Sequence, residues 1–526
     1  MNYNNIPTTD GCPQVIVLQG STREMGKQYG KKFAKQLETH AVIIRASVLG
    51  TPFMTSMYGY EVATSEMADK DMEVMMYVAD TYVPEYRAWL EGVQEGCKEA
   101  GVDISFRDLV MAATYPCERW GRPGGAYPEG FEGSSTGTAS QPYCNGFAVG
   151  KEAAKDGNTI VGVSGSPSDE TVDRVIVLAY HEDGSFYTTF GTIPNPFGQS
   201  AMNGKGFAFA MTSNTSPTEA GWGIGAELAA FYIAHCSDSL EDSIEWLKKV
   251  PRSFAAGNFV FNDTEGNICV LETNSELWNL RKPGDAGEEG DYVVSTNHFA
   301  AKETIDKNVP EMEGWIGDSK YRLATMSKYL AKGVEQGGID MDYVRYFLRQ
   351  DDWYDYENDE WHINEPNSGK GSNVLEYTHS IFFTPGDMSA YYMQGTGSGI
   401  GVPAGSFGEF IKITMFDDMN SLAEMMQMDT FFMTYSVARG EYLRVRNMSK
   451  ALQQDYASQE ALKNLLDEAY RNYERGVNRW AYAYVAKNDS NDDEAYREYL
   501  ADAIRLFGMS QLYSKKCIAQ LQYYVD

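Results

Sequence analysis

The chain has 526 residues, and its 44 basic and 74 acidic side chains give a formal net charge of −30. This acidic excess argues against nucleic acid or an anionic membrane as a partner, because phosphate binding needs clustered lysine and arginine. Hydrophobic residues make up 43% of the chain, which excludes wholesale disorder and allows a large core.

Seven cysteines are scattered along the chain without a Cys-x-x-Cys pair. We therefore expect no structural zinc and no dense disulfide framework, and we predict neither a metal nor a cofactor. A run of about 18 apolar residues, which a membrane helix needs, is missing from the sequence. The N-terminal residues lack the basic and apolar parts of a signal peptide, which favours a cytoplasmic location.

The N-terminal part of the chain is predicted to be one strand followed by helices. Residues 14–19 form the strand, and Ser21-Thr22-Arg23-Glu24 has the capping-box pattern of a helix start. Gly26 and Gly30 lie four residues apart on this helix, which extends to about Leu49, and they predict close helix packing rather than a ligand site. Further helices are expected at 66–100 and 106–116.

A Gly-, Ser- and Pro-rich run over 121–143 predicts an exposed linker, and after it the pattern changes from helical to alternating. Strands are then predicted at 145–149, 159–163, 173–181, 185–191, 206–211, 257–263, 267–272, 290–296, 379–385, 389–394 and 408–415. Helices are predicted at 225–236, 239–249, 319–332 and 341–350, and over most of the last hundred residues. Runs of strands separated by helices favour an α+β fold, in which helices cover sheets.

Cys144 stands directly between the linker and the first of these strands. A thiol that becomes the first residue of a mature enzyme needs this layout: a cleavable leader, the nucleophile and then a buried hairpin. The alternative is a structural cysteine in the core, since free cysteines are commonly interior.

Several short motifs follow one another in a fixed order: Ser21-Thr22-Arg23-Glu24-Met25-Gly26, Cys144-Asn145-Gly146-Phe147-Ala148, Met202-Asn203-Gly204-Lys205-Gly206, Gly257-Asn258-Phe259-Val260-Phe261, Thr296-Asn297-His298-Phe299 and Ser319-Lys320-Tyr321-Arg322. This order resembles the acyl-coenzyme A:6-aminopenicillanic acid acyltransferase family. These proteins are linear-amide C–N hydrolases and acyltransferases of the N-terminal nucleophile superfamily.

The resemblance implies a four-layer αββα sandwich made active by autocatalytic cleavage. Residues 1–143 would be a helical pro-segment, 144–430 the catalytic core and 431–526 a helical C-terminal extension. The bond expected to break joins Tyr143 to Cys144.

The resemblance also implies roles for individual residues. Cys144 would be the nucleophile, and its own freed amine would be the base. Asn214 and Asn297 would hold the oxyanion. His298 would orient Asn297 or simply be a core histidine with its hydrogen bonds satisfied, and we favour the second role. Arg322 would bind a substrate carboxylate or hold the site together through paired hydrogen bonds.

Two features depart from the family pattern. Relatives usually carry Thr or Ser after the nucleophile, where this chain has Asn145. The element that normally anchors the freed amine, Asn-x-Asp, is also missing. We expect Asp169 to supply the carboxylate from a shifted position, or Ser164 and Ser166 to hold the amine more weakly.

The function predicted is that of a self-processing cysteine hydrolase or acyltransferase that acts on a small N-acyl amide or small peptide through a thioester. A dipeptidase of the related thiol family is one alternative, suggested by Val149-Gly150-Lys151, and a catalytically inactive binding protein of the same fold is another. The tail over 440–526 would pack on the core or join copies of the chain in a homo-oligomer. Residues 395–401 are expected to form a loop, and 351–360 a solvated acidic insertion.

Overall fold

The computed structural model divides the chain into two compact units, Leu18–Val172 with Ile176–Asp417, and Met1–Val17 with Asp173–Val175 and Asp418–Asp526. The residues that the structure describes are 14–48, 65–114, 121–122, 125–132, 134–135, 138–139, 144–165, 174–198, 200–214, 222–252, 257–308, 313–348, 350, 352–363, 379–394, 411–415, 460–488 and 492–523.

The N-terminal elements are β1 (Gln14–Gly20), α1 (Thr22–Val48), α2 (Ser65–Tyr82), α3 (Glu85–Glu99) and α4 (Phe106–Thr114). The predicted capping box is present at the start of α1. The backbone nitrogen of Ser21 donates to the Glu24 carboxylate at 2.9 Å, and the Glu24 nitrogen donates back to the Ser21 hydroxyl at 3.4 Å. The predicted strand and helices are therefore confirmed.

Close packing between α1 and α3 explains the two glycines of α1. A Cβ atom on Gly26 would lie 2.3 Å from the carbonyl oxygen of Trp89, and one on Gly30 would lie 2.0 Å from that of Val93. Gly96 of α3 has the same relationship to the Lys27 carbonyl, at 2.1 Å. The packing role predicted for the glycines is confirmed, because the two backbones touch where side chains would otherwise stand.

The predicted linker contains four two-residue strands among its described residues. They are β2 (Gly121–Arg122), β3 (Gly125–Ala126), β4 (Ser134–Ser135) and β5 (Thr138–Ala139), and they pair as β2 with β5 and β3 with β4. The linker is therefore partly ordered by backbone pairing, which its composition did not predict.

From Cys144 onward the elements form the sheets and their covering helices. They are β6 (Cys144–Val149), β7 (Ile160–Gly165), β8 (Arg174–His181), β9 (Phe186–Thr192), β10 (Ser200–Asn203), β11 (Phe207–Ser213), α5 (Ala226–Phe231), α6 (Leu240–Lys249), β12 (Gly257–Asp263), β13 (Ile268–Thr273), β14 (Trp278–Arg281), β15 (Tyr292–Ser295), α7 (Glu313–Glu335), α8 (Met341–Phe347), β16 (Trp353–Asp355), β17 (Glu360–His362), β18 (His379–Thr384), β19 (Ser389–Gln394) and β20 (Ile411–Thr414). A π-helical turn, Tyr232–Cys236, continues α5.

Two sheets pack face to face. One has eight strands in the order β1-β8-β9-β10-β11-β12-β13-β14, and the other has six in the order β15-β6-β7-β18-β19-β20. Gly146 on β6 leaves room for the other sheet, since a Cβ there would lie 2.9 Å from a methyl group of Thr212. Farther along the interface the rings of Phe190 and Tyr392 are 4.9 Å apart.

Helices cover both outer faces. Met326 and Leu330 of α7 join Phe147 and Val294 of the six-stranded sheet in one buried cluster. On the eight-stranded sheet, the Asn203 side chain donates to three carbonyls at the end of the π-helical turn, at 3.0–3.2 Å. The α+β, four-layer αββα prediction is therefore confirmed.

The hairpin β16–β17 corrects one expectation. The acidic segment 351–360 is expected to be solvated, and residues 356–360 are exposed. Trp353 and Asp355, however, are buried, at 5% and 7% exposure. The ring of Trp353 stacks on that of His362 at 3.9 Å, which orders the hairpin despite its charge. The short strands β10 and β14 were also missed, because four residues carry too little periodicity to be recognised.

The smaller unit contains two long helices, α9 (Glu460–Asn488) and α10 (Asp493–Tyr523). They pack on each other, and the Ser510 hydroxyl of α10 donates to the Ala469 carbonyl of α9 at 2.8 Å. The polar break predicted around 488–493 separates them. Within the described ranges, no helix has the length and apolar character needed to cross a membrane.

Candidate active site

The pairing of β6 with β15 brings Asn297 beside Cys144. Ser295 is the partner of Gly146 in this antiparallel pair, and continuing the register by two residues sets Asn297 opposite Cys144. The backbone nitrogen of Cys144 donates to the Asn297 Oδ1 at 2.8 Å. Both residues are buried, at 1% and 5% exposure.

Arg322 of α7 joins the nucleophile candidate to Asn297. Its Nη1 donates to the Cys144 carbonyl and to the Asn145 Oδ1, both at 2.7 Å, and its Nη2 donates to the Asn297 Oδ1 at 2.9 Å. Arg322 is 1% exposed. Two roles are expected for Arg322. This geometry fits the one that holds the site together, which we call the clamp, because both Nη atoms donate to acceptors of the chain itself.

The Cys144 thiol lies in a setting with opposing electrostatic effects. Burial raises its pKa, while hydrogen bonding to Ser213, the positive charge of Arg322 and a hydrogen bond from Asn297 act to lower it. Burial is the largest effect, so the thiol is protonated as it stands. A nearby base is needed to make the thiolate.

The end of β11 forms another wall of the site. Its last residue, Ser213, contacts the Cys144 thiol and accepts a 2.6 Å hydrogen bond from the Asn297 Nδ2 at its carbonyl. Asn214 follows directly and is 2% exposed. Asn214 and Asn297 are predicted site residues that lie far apart in the sequence. The structure brings both to the same end of the sandwich as Cys144.

His298 belongs to a buried network behind Asn297. Its Nδ1 lies 2.7 Å from the Ser319 hydroxyl, which also accepts the backbone N–H of Asn297 at 2.7 Å. The Thr296 hydroxyl donates to the Ser319 carbonyl at 3.0 Å. Burial, with further effects from Arg322 and other cations, lowers the pKa of His298 to about 3, so the ring is neutral.

A buried ion network, which none of the motifs indicated, holds the backbone that follows Asn297. Arg281 is 1% exposed and contacts the carboxylates of Glu272, at 3.1 Å, and Glu288. Glu272 also accepts the backbone nitrogens of Ala300 at 2.9 Å and Ala301 at 3.3 Å. The sequence signal was a glutamate in the mostly apolar strand Ile268–Thr273.

Asn258, which lies in one of the family-like motifs, supports the segment as well. Its Nδ2 donates to the carbonyls of Thr296 at 3.2 Å and His298 at 3.1 Å. The Arg281 guanidinium bonds the Val294 carbonyl on the N-terminal side. The backbone around Asn297 is thus held on both sides by buried polar side chains.

Two predicted site residues, Tyr143 and Asp169, lie outside the described residues, as do Ser166 and the loop 395–401. Ser164 is described and pairs with Asn145 across β6 and β7. Its hydroxyl lies 2.7 Å from that of Ser380. Because strand side chains alternate, Ser164 and Asn145 point to the face opposite that of Cys144. The described residues also contain no cluster of His, Cys, Asp and Glu that could hold a metal ion.

One segment of the chain matches a known protein family. The family model for acyl-coenzyme A:6-aminopenicillanic acid acyl-transferase matches residues 168–362. An uncharacterized protein of Archaeoglobus fulgidus is 24% identical over 374 residues, which cover 62% of this chain and 57% of that protein. The chain thus spans little more than half the length of this relative.

Solved structures also align with the chain. A mutant of conjugated bile acid hydrolase from Clostridium perfringens has a TM-score of 0.32 at 13% identity, covering 52% of this chain and 97% of its own. Penicillin V acylase from Agrobacterium tumefaciens has a TM-score of 0.27 at 12% identity, covering 48% and 76%.

The matched segment contains Asn214, Asn297 and Arg322, and Cys144 precedes it. Over residues 168–362, the predicted resemblance to the acyl-coenzyme A:6-aminopenicillanic acid acyltransferase family is therefore confirmed.

Proposed function

We propose that the protein is a cysteine N-terminal nucleophile enzyme that hydrolyses a linear amide, or transfers its acyl group, through a thioester on Cys144. The hydrogen bond from the Cys144 nitrogen to the Asn297 Oδ1 carries this proposal. An acceptor aimed at the nitrogen of a buried cysteine is what a freed N-terminal amine needs beside its own thiol. Any buried backbone N–H needs an acceptor. Here the acceptor is the side-chain amide of a residue in one of the family-like motifs, which can stay in place when cleavage turns the N–H into an amine.

The first step of the proposal is self-cleavage at the Tyr143–Cys144 bond. The Cys144 thiol adds to the carbonyl of Tyr143, and the acyl chain moves from nitrogen to sulfur. Water then hydrolyses the resulting thioester, which releases the Tyr143 carboxylate and leaves the thiol and α-amine of Cys144 free. The products are chains of 143 and 383 residues, the second being 526 minus 143.

Turnover then uses the freed amine as the base. It accepts the thiol proton, the thiolate attacks the substrate carbonyl, and the protonated amine gives the proton to the leaving amine. Water or a second amine attacks the thioester and completes the cycle. The charge of Arg322, which bonds the Cys144 carbonyl, disfavours a persistent ammonium at this position and so favours the basic form.

Asn297 and Asn214 have different roles in this proposal, one at the amine and the other at the oxyanion. Asn297 presents its oxygen to the Cys144 nitrogen and its Nδ2 to the Ser213 carbonyl, which suits holding the amine. We assign the oxyanion mainly to Asn214, at the end of β11. One such donor typically contributes about 3–4 kcal/mol to transition-state stabilisation. Asn297 could then replace the missing Asn-x-Asp element.

The motif that suggested a dipeptidase has a structural explanation. A Cβ on Gly150 would lie 2.2 Å from the Asp291 carboxylate, which accepts the Glu152 nitrogen at 3.0 Å. A side chain at this position would have to displace the Asp291 carboxylate, so the glycine has a packing role. The Val149-Gly150-Lys151 match does not by itself favour dipeptides as substrates.

The test is to compare wild type, Cys144→Ala and Cys269→Ala, the last a buried thiol on β13. Intact mass spectrometry should find a new amino terminus at Cys144 in wild type and Cys269→Ala, but not in Cys144→Ala. Hydrolysis of N-acyl 4-nitroanilides and of dipeptides should follow the same pattern. Wild-type turnover by Cys144→Ala would overturn the proposal. An uncleaved wild-type chain without turnover would favour the inactive binding protein.

A further inference from the structure

A cavity of about 300 Å³ lies against α7, away from Cys144. Its walls come from the helix, from segment 286–305 and from the hairpin β16–β17. The residues that decide its chemistry are His298, Ile305, Lys320, Ala324, Tyr354 and Tyr356. A volume of this size is at the lower end of the range for small-molecule sites.

Two faces of α7 serve different purposes. The cavity face carries residues at helical spacing: Lys320, Ala324, Ser327 and Ala331. The inner face carries Ser319, Arg322, Met326 and Leu330, all at most 1% exposed. Since each residue turns the helix by about 100°, the two sets point in different directions. A ligand in the cavity would therefore not reach the Cys144 thiol through α7.

The cavity has an unbalanced positive charge. Lys328 forms an ion pair with Glu289 at 3.1 Å and lies over the ring of Tyr354. The ammonium of Lys320 has no ion pair among the residues that the structure describes. Lys320 is also one of three cations, with Arg322 and Arg281, whose charge lowers the pKa of His298.

His298 offers a polar atom at the inner end of the cavity. Its Nδ1 is held by Ser319, and the described residues supply no hydrogen bond to its Nε2. The Ser319 hydroxyl donates to the Thr296 hydroxyl at 2.9 Å, and the Thr296 hydroxyl donates to the Ser319 carbonyl. The single N–H of the neutral imidazole is therefore at Nδ1 and donates to the Ser319 oxygen. In that tautomer, the ring presents an uncharged acceptor, Nε2, to the cavity.

The rim of the cavity is apolar and exposed. Tyr356 is 40% exposed and Ile305 is 46% exposed, and the wall beside them includes Tyr354 and Ala324. A ligand with a hydrocarbon body would cover these surfaces, at a gain of about 25 cal/mol per Å² of apolar area removed from water. Water filling the cavity would leave this apolar surface hydrated and would not provide that gain.

We propose that this cavity is a second binding site, for a small carboxylate with an aliphatic or aromatic body. The carboxylate contacts Lys320, and the body lies against Tyr354 and Tyr356, with the neutral ring of His298 at the inner end. The site is separate from the nucleophile, and it does not depend on the proposed amidase chemistry. Because His298 follows Asn297 directly, the ligand contacts the segment that lies behind Cys144.

The test uses hexanoate as the probe and hexanol as its uncharged counterpart, in isothermal titration calorimetry with the full chain. Lys320→Met removes the free charge but keeps the length of the side chain, and Ala324→Phe fills the cavity. Lys332→Met is the matched control, since Lys332 is exposed on the same helix and does not line the cavity. Cys144→Ala tests binding at the nucleophile.

Wild type, Lys332→Met and Cys144→Ala should bind hexanoate alike and more tightly than hexanol. Lys320→Met should weaken hexanoate about tenfold, as expected for loss of a charge-assisted hydrogen bond, and leave hexanol unchanged. Ala324→Phe should abolish binding of both. Equal binding by Ala324→Phe and wild type, loss of hexanoate binding in Cys144→Ala, or failure of wild type to bind hexanoate would overturn the proposal.

Discussion

The backbone nitrogen of Cys144 and the Oδ1 of Asn297 are 2.8 Å apart, although 153 positions separate the two residues in the chain. The contact depends on the register of β6 with β15, and Arg322 then reaches both residues from α7. Separate substitutions can test each of these contacts.

Removing the Asn297 side chain should impair catalysis more than folding. Asn297→Ala loses the acceptor for the Cys144 nitrogen, and misplacing a reacting group by about 1 Å can cost about 10²-fold in rate. We expect kcat to fall by that order. Asn262→Ala, which removes a buried amide on β12, should keep kcat while lowering stability. Equal losses of kcat in the two variants would contradict a specific role for Asn297.

Arg322→Lys should be a poor substitution even though it keeps the charge. A lysine ammonium cannot contact the Cys144 carbonyl, the Asn145 amide and the Asn297 amide in the planar geometry of a guanidinium. Leaving a buried acceptor unsatisfied costs about 1–3 kcal/mol. Chemical denaturation should detect this loss, together with slower cleavage before Cys144. A variant with wild-type stability would show that the clamp is not needed for folding.

Glu272→Gln should destabilise the protein and slow turnover. It leaves Arg281 buried with one carboxylate fewer and weakens the anchor of Ala300 and Ala301. Breaking a buried ion pair costs about 3–5 kcal/mol. Urea unfolding and kcat should both change, whereas Glu265→Gln, at an exposed position, should change neither. An unaltered kcat in a folded Glu272→Gln variant would mean that the network serves stability alone.

Gly30→Ala should weaken the packing of α1 on α3. The added methyl would lie 2.0 Å from the Val93 carbonyl oxygen, and overpacking of this kind costs about 1–3 kcal/mol. Gly508→Ala is the matched control, because nothing lies within 4 Å of a Cβ on that α10 glycine. It should stabilise its helix by about 0.5–1 kcal/mol. Thermal unfolding would separate the two effects, and a neutral Gly30→Ala would contradict the close contact.

The stability of the protein should depend on His298 in mildly acidic solution. Its pKa is lowered from 6.5 to about 3 in the folded chain, so below pH 6.5 the unfolded chain binds a proton that the folded chain does not. The stabilising effect is complete above pH 6.5 and disappears as the pH falls towards 3. Each pH unit in this window contributes up to about 1.4 kcal/mol.

Measuring unfolding free energies at pH 6.5 and 4.5 tests this dependence. Wild type should lose about 2–3 kcal/mol more than His298→Asn between the two values, because only wild type carries the titrating ring. The comparison concerns the change with pH and not the absolute stability of the variant. Parallel losses in the two proteins would show that other groups control the acid response.

The sequence predicted most of the elements because their signals are local. The capping box at Ser21 and Glu24, the spacing of Gly26 and Gly30 and the alternating pattern after Cys144 each concern neighbouring residues. The prediction failed in part where tertiary packing overrides composition. Segment 351–360 carries many charges, yet the stacking of Trp353 on His362 orders it as a hairpin.

The sequence by itself determined the fold class and which residues could form a site, since order and residue type are enough for both. Only the tertiary structure decided how they meet. Strand register placed Asn297 opposite Cys144. The two donors beside it, the Cys144 nitrogen and Arg322, face its amide oxygen, and Arg322 also donates to the Cys144 carbonyl and to Asn145. Register and burial arise from contacts between distant segments, and local patterns do not encode them.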